Sequence, residues 1–443
     1  MLFKKLFVNR AIVWFRQDLR LSDNEAIHDA LKHADEVLYV YVFEDLFLKS
    51  NGPHGFRRTG KHRLKFIIES VEDLRLNLRS KGADLIIRCG KAQDEIFKLA
   101  KQYKSSWVFC NRERTSDEVK IQDKLEQNLW SVGQEIKYSR GKMLYYTQDL
   151  PFPITHSPDI FTNYRKEVEK ITPVRKPIPE AENYKYAAKD IESGEIPTLE
   201  DYGFEQIPSI SYSAFPLKGG ETAGLDRLRY YLWDSRLIDT YLDTRNELVG
   251  VDYSSKFSPY LAQGCLSPKV IYHEIMKYEQ FYGGNKSTYW LYFELLWRDF
   301  FRLIAKKYQN AIFQPNGLKG GRIKEFKEDQ KKIKDWTQGT TGQSFVDANM
   351  IELNATGFMS NRGRQNVASY LVHDLKQNWQ IGAEYFEYML IDYDVCSNWG
   401  NWNYLAGVGN DPRENRVFNL ETQARRYDPE NKYVDLWRKF EKV

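Results

Sequence analysis

At 443 residues the chain exceeds what one hydrophobic core usually supports, and two domains of roughly 150 to 220 residues, each with its own core, are expected. Aromatic residues make up 15% of it, enough to bury large surfaces and line a site for a flat ligand, while a net charge of only +4 permits a phosphate-binding face and argues against a purely electrostatic nucleic-acid binder. Its four cysteines, Cys89, Cys110, Cys265 and Cys396, form no CxxC pair, which removes zinc and iron–sulfur readings, and no apolar run approaches the roughly 18 residues of a membrane span. The leading MLFKKLFVNR is too short to hold a signal peptide before the first strand, so a cytoplasmic protein with reduced thiols is expected.

From 11 to 140, short β-branched and aromatic runs alternate with helical patterns such as Lys61 to Arg79. The runs are Ala11 to Phe15, Val37 to Phe43, Asp84 to Arg88, Trp107 to Cys110 and Ile136 to Ser139. The alternation predicts an α/β domain with a doubly wound parallel sheet over residues 1–140. No GxGxxG follows these strands, so the dinucleotide fingerprint is missing. Residues 141–220 hold nine of the 15 prolines and predict a connector without long regular helices, wrapping the surface between domains. Beyond Gly220, apolar residues recur at i, i+3, i+4 spacing and no solenoid repeat appears. This predicts an irregular all-α domain over residues 221–443, which holds eight of the eleven tryptophans.

Three polar segments interrupt the helical half: RNELVGVDYSSKFSPYLAQGCLSP, TGFMSNRGRQNVASYLVHDLKQNW and DYDVCSNWGNWNYLAGVGNDPR. Ser254, Ser255 and Ser258 with Lys256 offer donors suited to phosphate oxygens, and equally make an N-cap cluster ahead of PYLAQG. Asp392 and Asp394, followed by Asn398, suit a metal, a solvated turn, or the edge of a ribose and heterocycle. Arg362 and Arg364 stand at a helix start, where guanidinium forks can pair with those carboxylates. Together the segments predict a polar cavity inside an aromatic helical domain.

Seven motifs in fixed order carry a resemblance that spans essentially the whole chain. They are WFRQDLRLSDN (Trp14 to Asn24), RTGKHR, DLPFPITHSPDIFTNYRK, TRNELVGVDYSSKFSPYLAQGCLSP, STYWLYFELLWRDFF, TGFMSNRGRQ, and DYDVCSNWGNW through NDPR. The chain resembles the cryptochromes of the DASH type within the photolyase superfamily. That resemblance implies an α/β antenna domain, a long connector and a helical domain holding a U-folded FAD.

Carried over by position, the resemblance implies that Tyr241, Ser254, Ser255 and Ser258 line the FAD phosphates, with Arg298 nearby. Arg364 and Asp392 would pair beneath the isoalloxazine, Asp394 would face the ribose and adenine, and Asn398 would sit against the reactive ring nitrogen, where asparagine favours a photolyase-like flavin. Glu294 would hydrogen-bond a pyrimidine dimer in a lesion pocket completed by Trp297, Asn361, Gln365 and Tyr404. On sequence alone Glu294 is also the i, i+4 partner of Arg298. Gln365 and Tyr404 stand where ordinary dimer photolyases carry Met and Trp, and the more polar pocket implies lesions in single-stranded DNA, where unstacking costs little. SNRGRQ has no histidine, which argues against six-four repair.

Trp402 and Trp379 match the first two members of the tryptophan chain that photoreduces the flavin, and are otherwise core aromatics; the third position, ten residues before Trp336, holds Phe326, which resists oxidation. NRERTSDE resembles the segment near the antenna chromophore, commonly methenyltetrahydrofolate, with Glu113 as the contact; a solvated N-cap cluster with Ser116 and Asp117 is the other reading. The expected activity is light-driven splitting of cyclobutane pyrimidine dimers by a metal-free monomer. The alternative is a blue-light receptor that binds FAD and nucleic acid without repair.

Overall fold

The computed structural model describes residues 8–188, 190–320, 327–412 and 417–440. Five apolar runs, β1 (Arg10–Phe15), β2 (Glu36–Glu44), β3 (Leu85–Gly90), β4 (Trp107–Asn111) and β5 (Glu135–Ser139), pair in parallel in the order β3-β2-β1-β4-β5. Their connections carry α1 (Glu25–His33), α2 (Asp45–Leu48), α3 (Lys61–Ser80), α4 (Ala92–Tyr103) and α5 (Ser116–Trp130). β1 lies at the centre and is buried continuously from Ala11 to Phe15, because a parallel sheet is covered on both faces.

The connector departs from the expected surface wrap. Between Pro158 and Pro173 there is room for α6 (Phe161–Ile171), and Phe161, Tyr164 and Tyr184 are buried. Further on, the chain covers the edge of β3: Ile87 N donates to Ser193 O at 2.6 Å. A Cβ on Gly194 would fall 2.4 Å from Ile87 O, so this close approach needs glycine, as does the positive φ of +71° there.

The helical half comprises α7 (Glu221–Arg229), α8 (Tyr241–Thr244), α9 (Ser258–Gln263), α10 (Pro268–Tyr282), α11 (Lys286–Tyr308), α12 (Gln330–Gln338), α13 (Ser344–Thr356), α14 (Asn361–Ser369), α15 (Trp379–Met389), α16 (Val395–Leu405), α17 (Leu420–Tyr427) and α18 (Lys432–Arg438). The long α11 begins with a capping box in which Asn285 and Thr288 satisfy each other's backbone donors. Buried Leu291, Leu295, Leu296, Phe300 and Leu303 recur along it at helical spacing.

Two separate cores were expected; instead one apolar cluster runs from the sheet face bearing Val13 and Phe15, through Phe66, Phe161 and Tyr164, to Trp336 and Trp402. The opposite sheet face, with Ile12, Trp14 and Val40, forms a second cluster, and α18 closes a third through Tyr433 and Trp437. The halves merge because the first sheet face is covered by the connector and the helical half together. Buried polar ties fix their register: the Glu221 carboxylate accepts from Leu21 N and Ser22 N, and Asp299 accepts from Leu144 N (3.0 Å) and Tyr145 N (2.9 Å).

Candidate functional site

Helices α14, α15 and α16 converge on a cavity of about 90 Å³ lined by Asn361, Arg364, Gln365, Asp392, Asp394, Asn398 and Trp402. Ser360 caps α14 by accepting from Gly363 N at 3.0 Å, and residue 363 must be glycine because a Cβ would fall 1.9 Å from Asn349 Oδ1. One turn on, Arg364 donates Nη2 to Asp392 Oδ2 at 2.9 Å and Nε to Met359 O at 2.9 Å. Asp392 is buried, and its second oxygen has no partner. Asp394 caps α16 by accepting from Ser397 N at 2.9 Å, and Arg302 Nη1 stands 3.5 Å from its other oxygen. Burial works against the charge, yet the Arg302 and Arg298 guanidiniums hold the Asp394 carboxyl well below the usual carboxylate range. Asn398 donates to Ala383 O at 3.0 Å, which fixes its amide.

The two arginines of α14 divide, where the sequence had both near the carboxylates. Arg362 turns to Asn246 Oδ1 (3.0 Å), Gln365 Oε1 (2.8 Å) and the Tyr427 ring, leaving Arg364 alone with Asp392. Asp394 takes Arg302 instead, a residue that the motifs alone do not single out; its signal was the pair of arginines four apart on α11, which puts both on one face.

The serine loop lies beside this cavity. Arg227 clamps it from beneath by donating to Ser255 O (3.0 Å), Ser254 O (3.1 Å) and Asp252 Oδ1 (2.8 Å). No side chain caps α9, so the N-cap reading of Ser254, Ser255 and Ser258 is not realised, and their hydroxyls take no partner among the described residues. Lys256 is not a free phosphate donor: its buried ammonium sits 3.3 Å from the Tyr253 ring centroid and 4.6 Å from that of Phe358. Burial drives it well below the ordinary lysine range. Phe358 also lies 5.8 Å from the Arg364 guanidinium, so the loop and the ion pair share a neighbour.

Glu294 does not pair with Arg298. It pairs with Arg245, whose guanidinium lies 5.9 Å from the Tyr241 ring, while Arg298 donates to Lys142 O (2.6 Å) and Leu261 O (3.0 Å) and so ties the connector and α9 to α11. Trp297 stacks on Phe161 at 3.7 Å and meets Tyr404 edge-on at 5.8 Å. Asn361 and Gln365 line the smaller cavity with Arg364 and Asp392, apart from that aromatic pair. Trp402 contacts Phe386 (5.2 Å) and Trp336 (6.4 Å), whereas Trp379 contacts Trp399 (5.7 Å); Phe326 lies outside the described residues.

A second cavity, about 440 Å³, opens between the halves and is lined by Glu44, His54, Arg58, Glu113, Glu118, Glu384, Glu387 and Trp399 among others. Glu113 is buried and paired with Lys142, and its backbone N donates to Gln122 Oε1 at 2.8 Å, so the solvated N-cap alternative does not hold. Burial raises Glu118 to about 7. His54 Nδ1 meets Glu384 Oε1 at 2.7 Å, a bond that raises the histidine. Arg58 Nη2 donates to Asp117 at 2.7 Å while its Nη1 is buried without a partner. Tyr393 lines both cavities and accepts from Trp399 Nε1 at 3.3 Å.

The donor set around the smaller cavity fits FAD: a half-buried guanidinium paired with a buried carboxylate that keeps a spare oxygen, a fixed amide, and three serine hydroxyls on and beside the adjoining loop. Residues 11–182 match the family model described as DNA photolyase, and residues 290–439 the one described as FAD binding domain of DNA photolyase. The chain is 46% identical over 428 residues to cryptochrome DASH of Xenopus laevis, covering 96% of this chain and 82% of that protein. It is 42% identical to cryptochrome DASH, chloroplastic/mitochondrial, of Arabidopsis thaliana, with 96% and 75% covered. The structure of Synechocystis sp. PCC6803 cryptochrome matches with a TM-score of 0.93 at 44% identity, covering 97% of this chain and 89% of that one. An archaeal photolyase from Sulfolobus tokodaii with two FAD molecules matches at 0.80 and 28% identity, covering 97% and 90%. Among the described residues no helix is long and apolar enough to cross a membrane.

Proposed function

The chain belongs to the cryptochrome DASH family of photolyase-related flavoproteins, and on that premise we propose that it splits cyclobutane pyrimidine dimers in single-stranded DNA by light-driven electron transfer from FAD. The observation that carries the reading is the cradle of Arg364, Asp392, Asp394 and Asn398, where a buried oxygen of each carboxylate stands without a hydrogen bond and Trp402 lines the same cavity. FAD bound there supplies the electron that opens the dimer. Arg364 and Asp392 would hold the flavin ring as a directly bonded ion pair, offering it a guanidinium and a spare carboxylate oxygen, and Asn398 would meet its edge without bringing a second carboxylate. Ser254, Ser255 and Ser258 would bind the diphosphate through hydroxyls that have nothing else to bond.

For the lesion, Trp297 and Tyr404 offer an aromatic corner on which unpaired bases can stack, and Glu294 with Arg245 presents both an acceptor and a donor to the dimer's amide and carbonyl edge. The 440 Å³ cavity is our assignment for the antenna, of the methenyltetrahydrofolate class. Its volume falls in the range of small-molecule sites, about 300 to 1,000 Å³, and the unpartnered Arg58 Nη1 suits a ligand acceptor.

Glu294→Ala tests the repair assignment. Reduced protein is illuminated with dimer-containing single strands, and the variant is expected to keep its FAD spectrum and most of its DNA affinity while repair yield falls. Equal repair by both proteins removes Glu294 from the lesion pocket; a wild type that binds DNA and never repairs is the receptor instead.

A further inference from the structure

We propose that the electron demanded at the flavin by light enters through Trp336, Tyr385 and Tyr388 rather than through Trp379, a route that rests on the flavin reading above. Ring centroids are 6.4 Å apart from Trp402 to Trp336, 5.6 Å from Trp336 to Tyr385, and 6.4 Å from Tyr385 to Tyr388, with planes inclined by 75°, 63° and 58°. At such separations and tilts ring edges lie against ring faces. Electron hopping falls exponentially with the gap between donors, so contact selects the path. The line runs outward at its end: Trp402, Trp336 and Tyr385 are buried, and Tyr388, in the last turn of α15, is half-buried. Its place is fixed from the other half, since Gly60 N donates to Tyr388 O at 2.8 Å and a Cβ on Gly60 would stand 3.2 Å from its ring. Trp379 packs edge-on against Trp399, which lines the cavity between the halves.

Proton chemistry orders the same residues. Trp336 donates Nε1–H to Val367 O at 3.0 Å, an acceptor that is no base, so an oxidised Trp336 keeps its proton and has to be refilled by an electron. Tyr385 has one hydroxyl proton, shared between Thr337 O at 2.9 Å and Asn354 Oδ1, again without a base, and burial pushes the phenol above its ordinary range; it serves as a bridge. The Tyr388 hydroxyl takes no protein partner among the described residues, so its proton leaves to water. The balance is then closed: Trp402 gives one electron to light-excited oxidised FAD, Trp336 refills Trp402, and Tyr388 refills Trp336 across the Tyr385 ring while losing its phenolic proton. An external thiol returns one electron and one proton to Tyr388, and two thiols oxidised in this way join as a disulfide.

The test is electron paramagnetic resonance on FAD-loaded protein illuminated and frozen, with ordinary or ring-deuterated tyrosine incorporated. A tyrosyl signal narrowed by deuteration is expected in wild type and is lost in Tyr388→Phe, a conservative change at a half-buried position. In parallel, light-driven flavin reduction with dithiothreitol should slow roughly tenfold or more in Trp336→Phe and less than about twofold in Trp379→Phe, with FAD content and melting temperature as folding controls. A tyrosyl signal that survives Tyr388→Phe, a radical spectrum insensitive to deuteration, or a larger slowing from Trp379→Phe than from Trp336→Phe overturns the route. A protein that purifies without FAD, or whose flavin stays oxidised in light in every variant, overturns the flavin reading and the route together, and its absorption spectrum tells that case apart.

Discussion

The two cavities treat buried charge in opposite ways. Around the smaller one, Asp392 and Asp394 each keep an oxygen without a hydrogen bond, although guanidiniums stand beside both. Around the larger one, most charges close on one another: Glu113 on Lys142, His54 on Glu384, Arg58 on Asp117. A buried polar atom without a partner costs about 1 to 3 kcal/mol, so the first arrangement persists at a cost that a bound polar ligand removes, whereas the second is nearly complete alone. On the proposed assignment, the flavin cavity would therefore gain more from its ligand than the antenna cavity would.

The strongest way to break this contrast is Asp392→Ala, which leaves Arg364 without its carboxylate. Because Arg364 keeps a quarter of its side chain exposed, the cost should sit near the lower end for a broken buried pair, about 3 kcal/mol. FAD occupancy after dialysis is expected to fall more than tenfold while the antenna cavity still loads, as read from the two absorption bands. An unchanged flavin content would remove the pair from the site.

Arg58→Ala probes the other side. Loss of one charged donor should weaken antenna binding by about 1.5 to 3 kcal/mol, roughly 10- to 100-fold, and leave FAD content at the wild-type level. If both chromophores were lost together, the cavities would not be independent.

The smallest effect expected is a pH dependence at the lip of the larger cavity. The Glu384 hydrogen bond raises His54 above its unfolded value near 6.5, so its contribution is complete below about pH 6.5 and is lost as pH rises through the elevated folded value. The pair is partly solvated, which limits it to under about 1 kcal/mol. The protection factor of the His54 amide, which donates to Glu384 Oε2 at 2.9 Å, taken after the intrinsic base-catalysed rate is divided out, should fall from pH 6.5 to 8, and His54→Gln should flatten that profile. A profile that the substitution leaves unchanged would assign the opening to another group.

The same contrast decides how much of each cavity is legible in the amino-acid sequence. The five strands announce themselves as continuous apolar runs, and their observed limits differ from the expected ones by a residue or two. Arg364, Asp392, Asp394 and Asn398 come from two short motifs on consecutive polar segments, so their convergence needs only two helices to meet. The larger cavity draws on β1, β2, the 52–59 turn, the NRERTSDE segment with α5, residues 310–314 and α15–α16, and of these only NRERTSDE with Glu113 carried a signal of it in the sequence. Partner choice was also hidden: the i, i+4 rule gave Glu294 to Arg298, but the connector's carbonyl at Lys142 and the α9 carbonyl at Leu261 claim Arg298, and a long-range neighbour, Arg245, takes the carboxylate. Lys256 misled in the same way, since nothing in SSKFS foretells that Tyr253 and Phe358 enclose its ammonium. Nor did proline density reveal that the connector's aromatic residues would join the two expected cores into one.

The most direct test of the central claim is to illuminate the reduced, FAD-loaded protein with the same thymine-dimer oligonucleotide presented as a single strand and as a duplex, and to follow dimer loss in both. The account predicts rapid repair of the single strand and much slower repair of the duplex, because the Trp297–Tyr404 corner and the polar Gln365 edge offset little of the unstacking that a duplex lesion requires. Equal rates on both strands, or no dimer loss from either by protein whose flavin is fully reduced, would contradict it.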